Sequence, residues 1–172
     1  MSSSLQKAAA AYIAQHEGSR NEIYKDHKGN YTIGIGHLVK PSEHQKYKGK
    51  KLTADEVQGL FDSDLDDKVA SAKRKLGDVF DSFPESLQVA VVDGFFRGDL
   101  SGSPKTLKLL KEKKFSEAAD EYLDNAEYKN SLKDGTGVAP RMSANAARMR
   151  EASVRKLSTE SPLKLTGPLA SF

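Results

Sequence analysis

Three residues near the start of the chain, Glu17, Asp26 and Thr32, have the types and spacing that acid-catalysed hydrolysis of an acetal requires. Eight residues separate the two carboxylates, and five separate Asp26 from Thr32. One carboxyl must donate a proton to the leaving oxygen, while the other stays ionised to stabilise positive charge or to orient water. The alternative is that Asp26 serves a turn and Glu17 is a solvated residue after a helix. The spacing alone leaves both interpretations open.

The first element that must position these residues is a helix. Apolar residues on one face predict a helix over 3–16, with Ser3 and Gln6 as a capping box. Gly18 follows its end. Glu17 is therefore expected where the helix gives way to extended chain.

The second element is a hairpin. Apolar residues alternate with polar residues and glycines between Ile23 and His37, and the turn-forming pair Gly29–Asn30 lies between the two halves. A hairpin of this kind brings Asp26 and Thr32 close across two strands. Glu17, one extended segment earlier, is expected to face both across a gap.

A long amphipathic helix follows the hairpin. Thr53 and Glu56 form a second capping box, and apolar residues recur at three- and four-residue steps until Gly77. About 23 residues at 1.5 Å each give a rod of roughly 35 Å. A helix of that length is expected to connect two lobes.

The remainder of the chain is predicted to be helical. The helix that opens with Pro84 is apolar nearly all round, as expected for the buried centre of a helical lobe. The sequence thus predicts an α+β, mainly α, two-lobed fold with a small β-hairpin lobe, a long connecting helix and a larger all-α lobe. Further helices are predicted from Ser103, from Ser116 and over 142–157, with loops over 40–51 and 135–140.

Composition bounds the class of protein. The 172 residues are 37% hydrophobic and 30% charged, which is typical of a globular domain. The absence of cysteine excludes disulfides, thiolate metal sites and cysteine nucleophiles. No apolar run approaches the roughly 20 residues of a membrane span, and the N-terminus lacks the basic region of a secretory signal. We therefore expect synthesis and folding in the cytoplasm, without stable membrane insertion.

The formal net charge of +3 is unevenly distributed. From Arg141 onward there are six Lys or Arg residues against two Asp or Glu residues. This basic segment suits an anionic polymer, and nucleic acid is one candidate, although no aromatic residues interleave the basic ones. The alternative is a solvated basic helix face.

Other catalytic motifs are absent. The histidines lack the spacing of a zinc site, the pair Gly34 and Gly36 is only a fragment of a dinucleotide loop, and Ser101 is not in a GxSxG motif. We predict neither a metal ion nor a cofactor. The four histidines are His16, His27, His37 and His44.

The run EGSRNEIYKDHKGNYTIGIGHLV, which contains all three candidate catalytic residues, closely resembles the N-terminal motif of the phage lysozyme family, T-even-phage type. The likeness continues through LTADEVQGLFDSDLDDKV and FFRGDLSGSPKTLKLLKEKKFSEAADEY to the region of Arg141. It covers roughly residues 5 to 155, most strongly at the start.

The resemblance implies a lysozyme-like fold and an endo-acting muramidase that cuts the β-1,4 bond between N-acetylmuramic acid and N-acetylglucosamine in peptidoglycan. Glu17 matches the family's proton donor, Asp26 its second catalytic carboxylate, and Thr32 the hydroxyl that helps to place water. The expected stereochemical course is inversion, since a hydroxyl beside the second carboxylate suits a bound water.

The resemblance also assigns residues outside this trio. Arg141 matches an arginine that pairs with the catalytic glutamate, and His37 and Asp64 match a structural ion pair between the β-lobe and the long helix. The chain departs from the family at Glu121, which replaces a substrate-contacting amide, and in a longer glycine loop over 135–137. Side chains expected to line the sugar cleft are Leu38, Phe96 and Thr106.

The expected organisation is a single lysozyme domain over 1–172. Within it, we predict the following parts: a β-lobe over 17–60, the connecting helix over 53–77, an α-lobe formed by 1–16 and 78–157, and a tail over 158–172.

The expected partner is the peptidoglycan substrate. The protein is expected to be a monomer and to bind no nucleic acid. Export from the host cytoplasm to the periplasm would then need a holin, unless the enzyme arrives within a virion. The alternative is a non-catalytic cell-wall-binding or virion structural protein on the same fold. The presence of Glu17, Asp26 and Thr32 together disfavours it, because a binding protein needs none of them.

Overall fold

The computed structural model describes residues 4–26, 29–135 and 137–160, with side chains described as far as 156. Helix α1 spans Ser4–Ala14 and buries Ala9 and Ile13. The predicted capping residue Ser3 lies outside the described residues. The helix ends two residues earlier than predicted, and the backbone N–H groups of His16 and Glu17 both bond to the Ile13 carbonyl.

A small antiparallel sheet follows in the order β1-β2-β3. Strands β1, β2 and β3 span Arg20–Lys25, Tyr31–Gly34 and His37–Leu38. The first strand begins earlier than the predicted Ile23. The predicted second strand of the hairpin divides into two, because Gly34 and Gly36 both adopt positive φ and turn the chain between them.

The segment predicted to be a loop over 40–51 contains two short helical turns. A 3₁₀ turn spans Pro41–Glu43, and α2 spans His44–Tyr47. The single buried residue of these turns is Tyr47, so periodicity could not reveal them. Tyr47 joins a small β-lobe core with Ile33, Val39, Leu52 and Val57.

Helix α3 spans Ala54–Leu76 and connects the lobes. Its predicted capping box is present: the Glu56 backbone N–H bonds to Thr53 Oγ1 at 3.2 Å, and the Thr53 N–H bonds to the Glu56 carboxylate at 2.8 Å. Acidic residues occupy its first turn and basic residues its last turn, as the helix dipole favours. Gly77, with φ of 71°, ends it.

The α-lobe is built around α4, which buries most of its 13 residues. Helix α1 joins the same hydrophobic core through Ala9 and Ile13, although it lies at the other end of the sequence. The remaining bounds are a 3₁₀ helix over Gly77–Ser82, α4 over Glu85–Arg97, α5 over Pro104–Lys111, α6 over Phe115–Leu123, α7 over Ala126–Asp134 and α8 over Val138–Glu160.

Three features of the α-lobe differ from the prediction. Helix α7 was not predicted, although Asn125 caps its start by accepting from the Tyr128 N–H and Gly135 ends it. Helix α8 begins at Val138, inside the predicted loop, and Pro140 occupies its first turn, where a missing N–H costs no hydrogen bond. The predicted tail over 158–172 begins inside α8, and its residues 161–172 lie outside the described part.

The α+β, mainly helical, lysozyme-like fold class is confirmed. Among the described residues, no helix is both long enough and apolar enough to cross a bilayer.

Candidate active site

Glu17 occupies the junction between the lobes. Its backbone N–H bonds to the Ile13 carbonyl at 3.1 Å, which holds Glu17 directly after the end of α1. The side chain is 25% exposed, so it is largely covered but keeps some surface for a ligand. Gly36 lies next to its carboxylate: a Cβ placed on Gly36 would lie 3.3 Å from Glu17 Oε2.

Arg141, from the first turn of α8, covers Glu17 from the α-lobe side. Its Nη1 donates to Glu17 Oε1 at 2.7 Å, and its side chain is only 8% exposed. These are the two residues that the family resemblance paired. The contact joins positions 124 residues apart, so it depends on the complete α-lobe.

Asp93 holds the opposite edge of the same guanidinium, a contact that the sequence did not predict. Arg141 Nη2 donates to Asp93 Oδ1 at 2.6 Å, and Nε lies 3.1 and 3.2 Å from the two carboxylate oxygens. Asn145 Nδ2 donates to Asp93 Oδ2 at 2.6 Å. Burial lowers the pKa of Arg141, but the hydrogen bonds and charges of Asp93, and then those of Glu17, outweigh it and raise that pKa overall. Arg141 therefore stays charged.

Asp26 stands at the start of the hairpin turn, where its own backbone closes the turn. Its N–H bonds to the Asn30 carbonyl at 2.9 Å, and its carbonyl accepts from the Gly29 N–H at 3.0 Å. The side chain accepts from the Asn30 backbone N–H at 2.8 Å and from Asn30 Nδ2 at 3.1 Å. These bonds are the turn chemistry that the sequence left open, and they also keep the carboxylate in one orientation.

Thr32 lies on β2 in a row of side chains that crosses the sheet. The strand register places Tyr24 opposite Thr32 and Thr32 opposite Leu38, so the three share one face. Thr32 is 6% exposed, whereas Leu38 is 56% exposed and open to a ligand. The neighbouring pair, Ile33 and His37, points to the other face, where Ile33 joins the β-lobe core.

Tyr24 and Arg20 belong to the site, although the sequence analysis did not single them out. The Arg20 guanidinium carbon lies 4.5 Å from the centroid of the Tyr24 ring. Burial raises the pKa of Tyr24, the Arg20 charge opposes that rise, and the carboxylates of Glu17 and Asp26 add to it. Tyr24 therefore lies within electrostatic reach of both candidate catalytic carboxylates.

The expected sugar-lining residues divide into two groups. Phe96 lies close to the candidate acid, since a Cβ on Gly36 would be 3.1 Å from its ring, and Phe61 supports it in an edge contact at 5.7 Å between centroids. Leu38 is exposed on the sheet. Thr106, by contrast, lies on α5 with 1% exposure, so its side chain has no surface with which to contact a sugar.

His37 and Asp64 contact each other between β3 and α3. His37 Nδ1 lies 2.8 Å from Asp64 Oδ2 and 3.0 Å from Oδ1. The Glu43 carboxylate lies 3.8 Å from His37 Nε2. The imidazole is thus placed between two carboxylates and joins the β-lobe to the connecting helix.

The two departures from the family motif are Glu121 and the glycine loop over 135–137. Glu121 pairs with Lys105 at 3.8 Å on the surface of the α-lobe. In the glycine loop over 135–137, Thr136 lies outside the described residues. In the part of the chain that the structure describes, no three His, Asp or Glu side chains are grouped to hold a metal ion.

Comparisons of the sequence with known proteins find similar chains. The sequence model of the phage lysozyme family matches residues 14–144, a range that holds Glu17, Asp26, Thr32, Asp93 and Arg141. Two Dictyostelium discoideum proteins, named "Probable T4-type lysozyme 2" and "Probable T4-type lysozyme 1", are each 30% identical to this chain over 128 residues. These alignments cover 61% of this chain and 75% of each relative.

Proposed function

The chain belongs to the phage lysozyme family, and on that premise we propose that it is an endo-acting muramidase of bacterial peptidoglycan. The bond it cuts in this proposal is the β-1,4 bond between N-acetylmuramic acid and N-acetylglucosamine. The observation that carries the proposal is the Glu17 carboxylate at the lobe junction, which Arg141 holds and which remains 25% exposed. A protonated carboxyl in that position can donate to a glycosidic oxygen.

In the proposed mechanism, Glu17 gives its proton to the leaving oxygen as the bond to the anomeric carbon breaks. A water molecule attacks that carbon from the opposite face, and Asp26 accepts the proton that the water releases. Thr32 orients the water, because a hydroxyl can both donate and accept within one cluster. The predicted outcome is inversion in a single displacement.

The remaining parts of the site fit a glycan substrate. Exposed Leu38 and partly buried Phe96 offer apolar surface to sugar rings. The Tyr24 ring, stacked under the Arg20 guanidinium, adds a flat surface within electrostatic reach of Asp26. We propose that the enzyme acts as a monomer, since one chain supplies all the candidate groups. Its setting, host lysis through a holin or wall entry from a virion, stays a prediction.

The decisive experiment compares wild type with Glu17→Gln on permeabilised Gram-negative cells and on purified peptidoglycan. The amide can still accept from Arg141 but cannot donate as an acid, so turbidity clearing should fall at least about 1000-fold with the fold retained. Mass spectrometry of wild-type digests should find muropeptides that end in reducing N-acetylmuramic acid.

Glu22→Gln is the matched control, because Glu22 is an exposed carboxylate on β1 of the same lobe. It should clear cells at the wild-type rate. Equal clearing by wild type and Glu17→Gln would reject Glu17 as the acid. Binding of cell walls by a wild type that releases no muropeptide would favour the non-catalytic alternative.

A further inference from the structure

We propose that Asp93 is a positioning residue for the acid step, which holds Arg141 in the orientation that meets Glu17 and offsets the charge of Arg141. It belongs to no motif that the sequence analysis singled out. Because the role concerns the acid of the proposed hydrolysis, it rests on the proposed function.

The geometry of the guanidinium carries the positioning part. Asp93 occupies the edge formed by Nε and Nη2 of Arg141, at distances of 2.6 to 3.2 Å. A guanidinium is planar and presents its N–H groups in a fixed fork. Fixing one edge therefore fixes the direction of Nη1, which donates to Glu17 at 2.7 Å.

Asp93 is itself held rigidly. It is 0% exposed in the middle of the apolar helix α4, and Asn145, one turn after Arg141 on α8, donates to its second oxygen at 2.6 Å. A side chain so deeply buried cannot touch a sugar. Its influence on the reaction must pass through Arg141 or through its charge, which makes it a positioning residue.

The charges of Glu17, Arg141 and Asp93 support the second role proposed for Asp93, which is to offset the charge of Arg141. Arg141 alone would favour the ionised form of Glu17, which is the wrong form for a proton donor. With Asp93 ionised and Arg141 charged, the trio of Glu17, Arg141 and Asp93 is neutral when Glu17 holds its proton and carries −1 when Glu17 loses it. The other titratable groups that face this trio are Tyr24 with Arg20, Tyr12 with Arg148, and Asp99 with Tyr122, and Asp93→Asn leaves all of these in place. Since a net charge is costly in a covered site, Asp93 favours the protonated, acid-competent form.

Asp93→Asn separates charge from shape, because the amide is isosteric and keeps an acceptor for Arg141. We expect the alkaline limb of the pH–rate profile to move to lower pH by roughly one unit. The value of kcat near neutral pH should fall about 10-fold with KM unchanged. Asp93→Glu keeps the charge but adds a methylene, so it should lower kcat without moving the limb.

Asp99→Asn is the matched control. Asp99 is another covered carboxylate of the α-lobe, but its partners are Tyr122 and Arg97 rather than Arg141. Asp99→Asn should shift the alkaline limb of the pH–rate profile by no more than about a third of the shift that Asp93→Asn causes. A purely structural role for Asp93 would lower activity equally at every pH and leave the limb in place, and that result would overturn the proposal.

A readout independent of activity distinguishes failure of this proposal from failure of the proposed function. Carbon-detected NMR of the Glu17 carboxyl should give a titration midpoint about one pH unit lower in Asp93→Asn than in wild type. An unchanged midpoint overturns the charge role even if peptidoglycan is cleaved. A lowered midpoint in a protein that cleaves no peptidoglycan upholds the charge role and rejects the muramidase.

If Asp93→Asn does not fold, the pair of Arg141→Gln and the double variant Asp93→Asn/Arg141→Gln decides the charge role. Removing both partners of a buried ion pair is tolerated better than removing one. The Glu17 midpoint must be lower in the double variant than in Arg141→Gln. Equal midpoints would overturn the proposal.

Discussion

Gly36 lies so close to Glu17 that a methyl group there would push against it: a Cβ on Gly36 would be 3.3 Å from Oε2 and 3.1 Å from the Phe96 ring, closer than an ordinary van der Waals contact. The φ of 70° at this position also favours glycine. Gly36→Ala should therefore lower kcat by about 10- to 100-fold, because it displaces Glu17, the proposed acid. It should also cost roughly 1–2 kcal/mol of stability.

Gly49→Ala is the matched control for Gly36→Ala. Gly49 has φ of 71°, but a Cβ there would meet nothing within 4 Å. The Gly49→Ala variant should lose about as much stability in thermal melts as Gly36→Ala, but its kcat should equal that of wild type. If both variants retained full activity, the contact between Gly36 and Glu17 would have no catalytic consequence.

The second prediction concerns stereochemistry. If Asp26 and Thr32 orient a water, the first product released from the β-linked glycan should have the α configuration at its reducing end. Proton NMR of the anomeric signals in the first minutes, before mutarotation, measures it. Thr32→Val should slow the reaction without altering that configuration, whereas an initial β product would require direct attack by Asp26.

The third prediction concerns the contact between His37 and Asp64. Both side chains are largely covered, at 11% and 21% exposure, so Asp64→Asn should cost about 1–3 kcal/mol of unfolding free energy. Activity per folded molecule should be unchanged, since His37 and its partner Asp64 lie on the face of the sheet opposite to Thr32. Asp67→Asn, an exposed change on the same helix, should stay within about 0.5 kcal/mol in urea titrations. If Asp64→Asn and Asp67→Asn lost the same unfolding free energy, the contact between His37 and Asp64 would not stabilise the fold.

The fourth prediction follows from the raised pKa of Asp99, which burial causes against the opposing charge of Arg97. The folded state holds the Asp99 proton to a higher pH than the unfolded state, whose pKa is about 4. Stability should fall as pH rises from that value through the folded pKa, and stay level above it. Asp99→Asn has no carboxyl to titrate and therefore avoids this loss of stability. Its melting temperature should rise relative to that of wild type as pH increases from 3.5 to 7. A gain that stays constant across this range, as expected for the exposed Asp78→Asn, would contradict the assignment.

The sequence predicted the local elements that carry the candidate site residues, a helix followed by a hairpin. Glu17, Asp26 and Thr32 fall within one short segment, and the hairpin period with the Gly29–Asn30 turn predicts the turn that holds Asp26 and the strand that holds Thr32. Asp93 escaped prediction because its partner Arg141 lies 48 residues away and only packing of α4 against α8 joins them. One signal was present: an aspartate in a helix that is apolar all round must be paired.

The fold shows the same division. Capping residues and apolar periodicity were sufficient to predict α3, because Thr53, Glu56 and Gly77 act locally. Helix α7 is largely polar, with Ser131 its only buried residue, so periodicity gave no signal and only Asn125 and Gly135 marked its ends. Strand β3 has two residues, too few for an alternation to be recognised.

The contact between Glu17 and Arg141 spans 124 residues, and this separation has a consequence for biosynthesis. Helix α1 leaves the ribosome before the other described elements, yet the core it completes includes α4 and α8, which are synthesised much later. A nascent chain that has released the whole hairpin already carries Glu17, Asp26 and Thr32 but lacks Arg141, which contacts the proposed acid. Such long-range closure slows folding. It also delays the contact between Glu17 and Arg141 until translation has passed α8, so that a chain truncated before α8 lacks this contact.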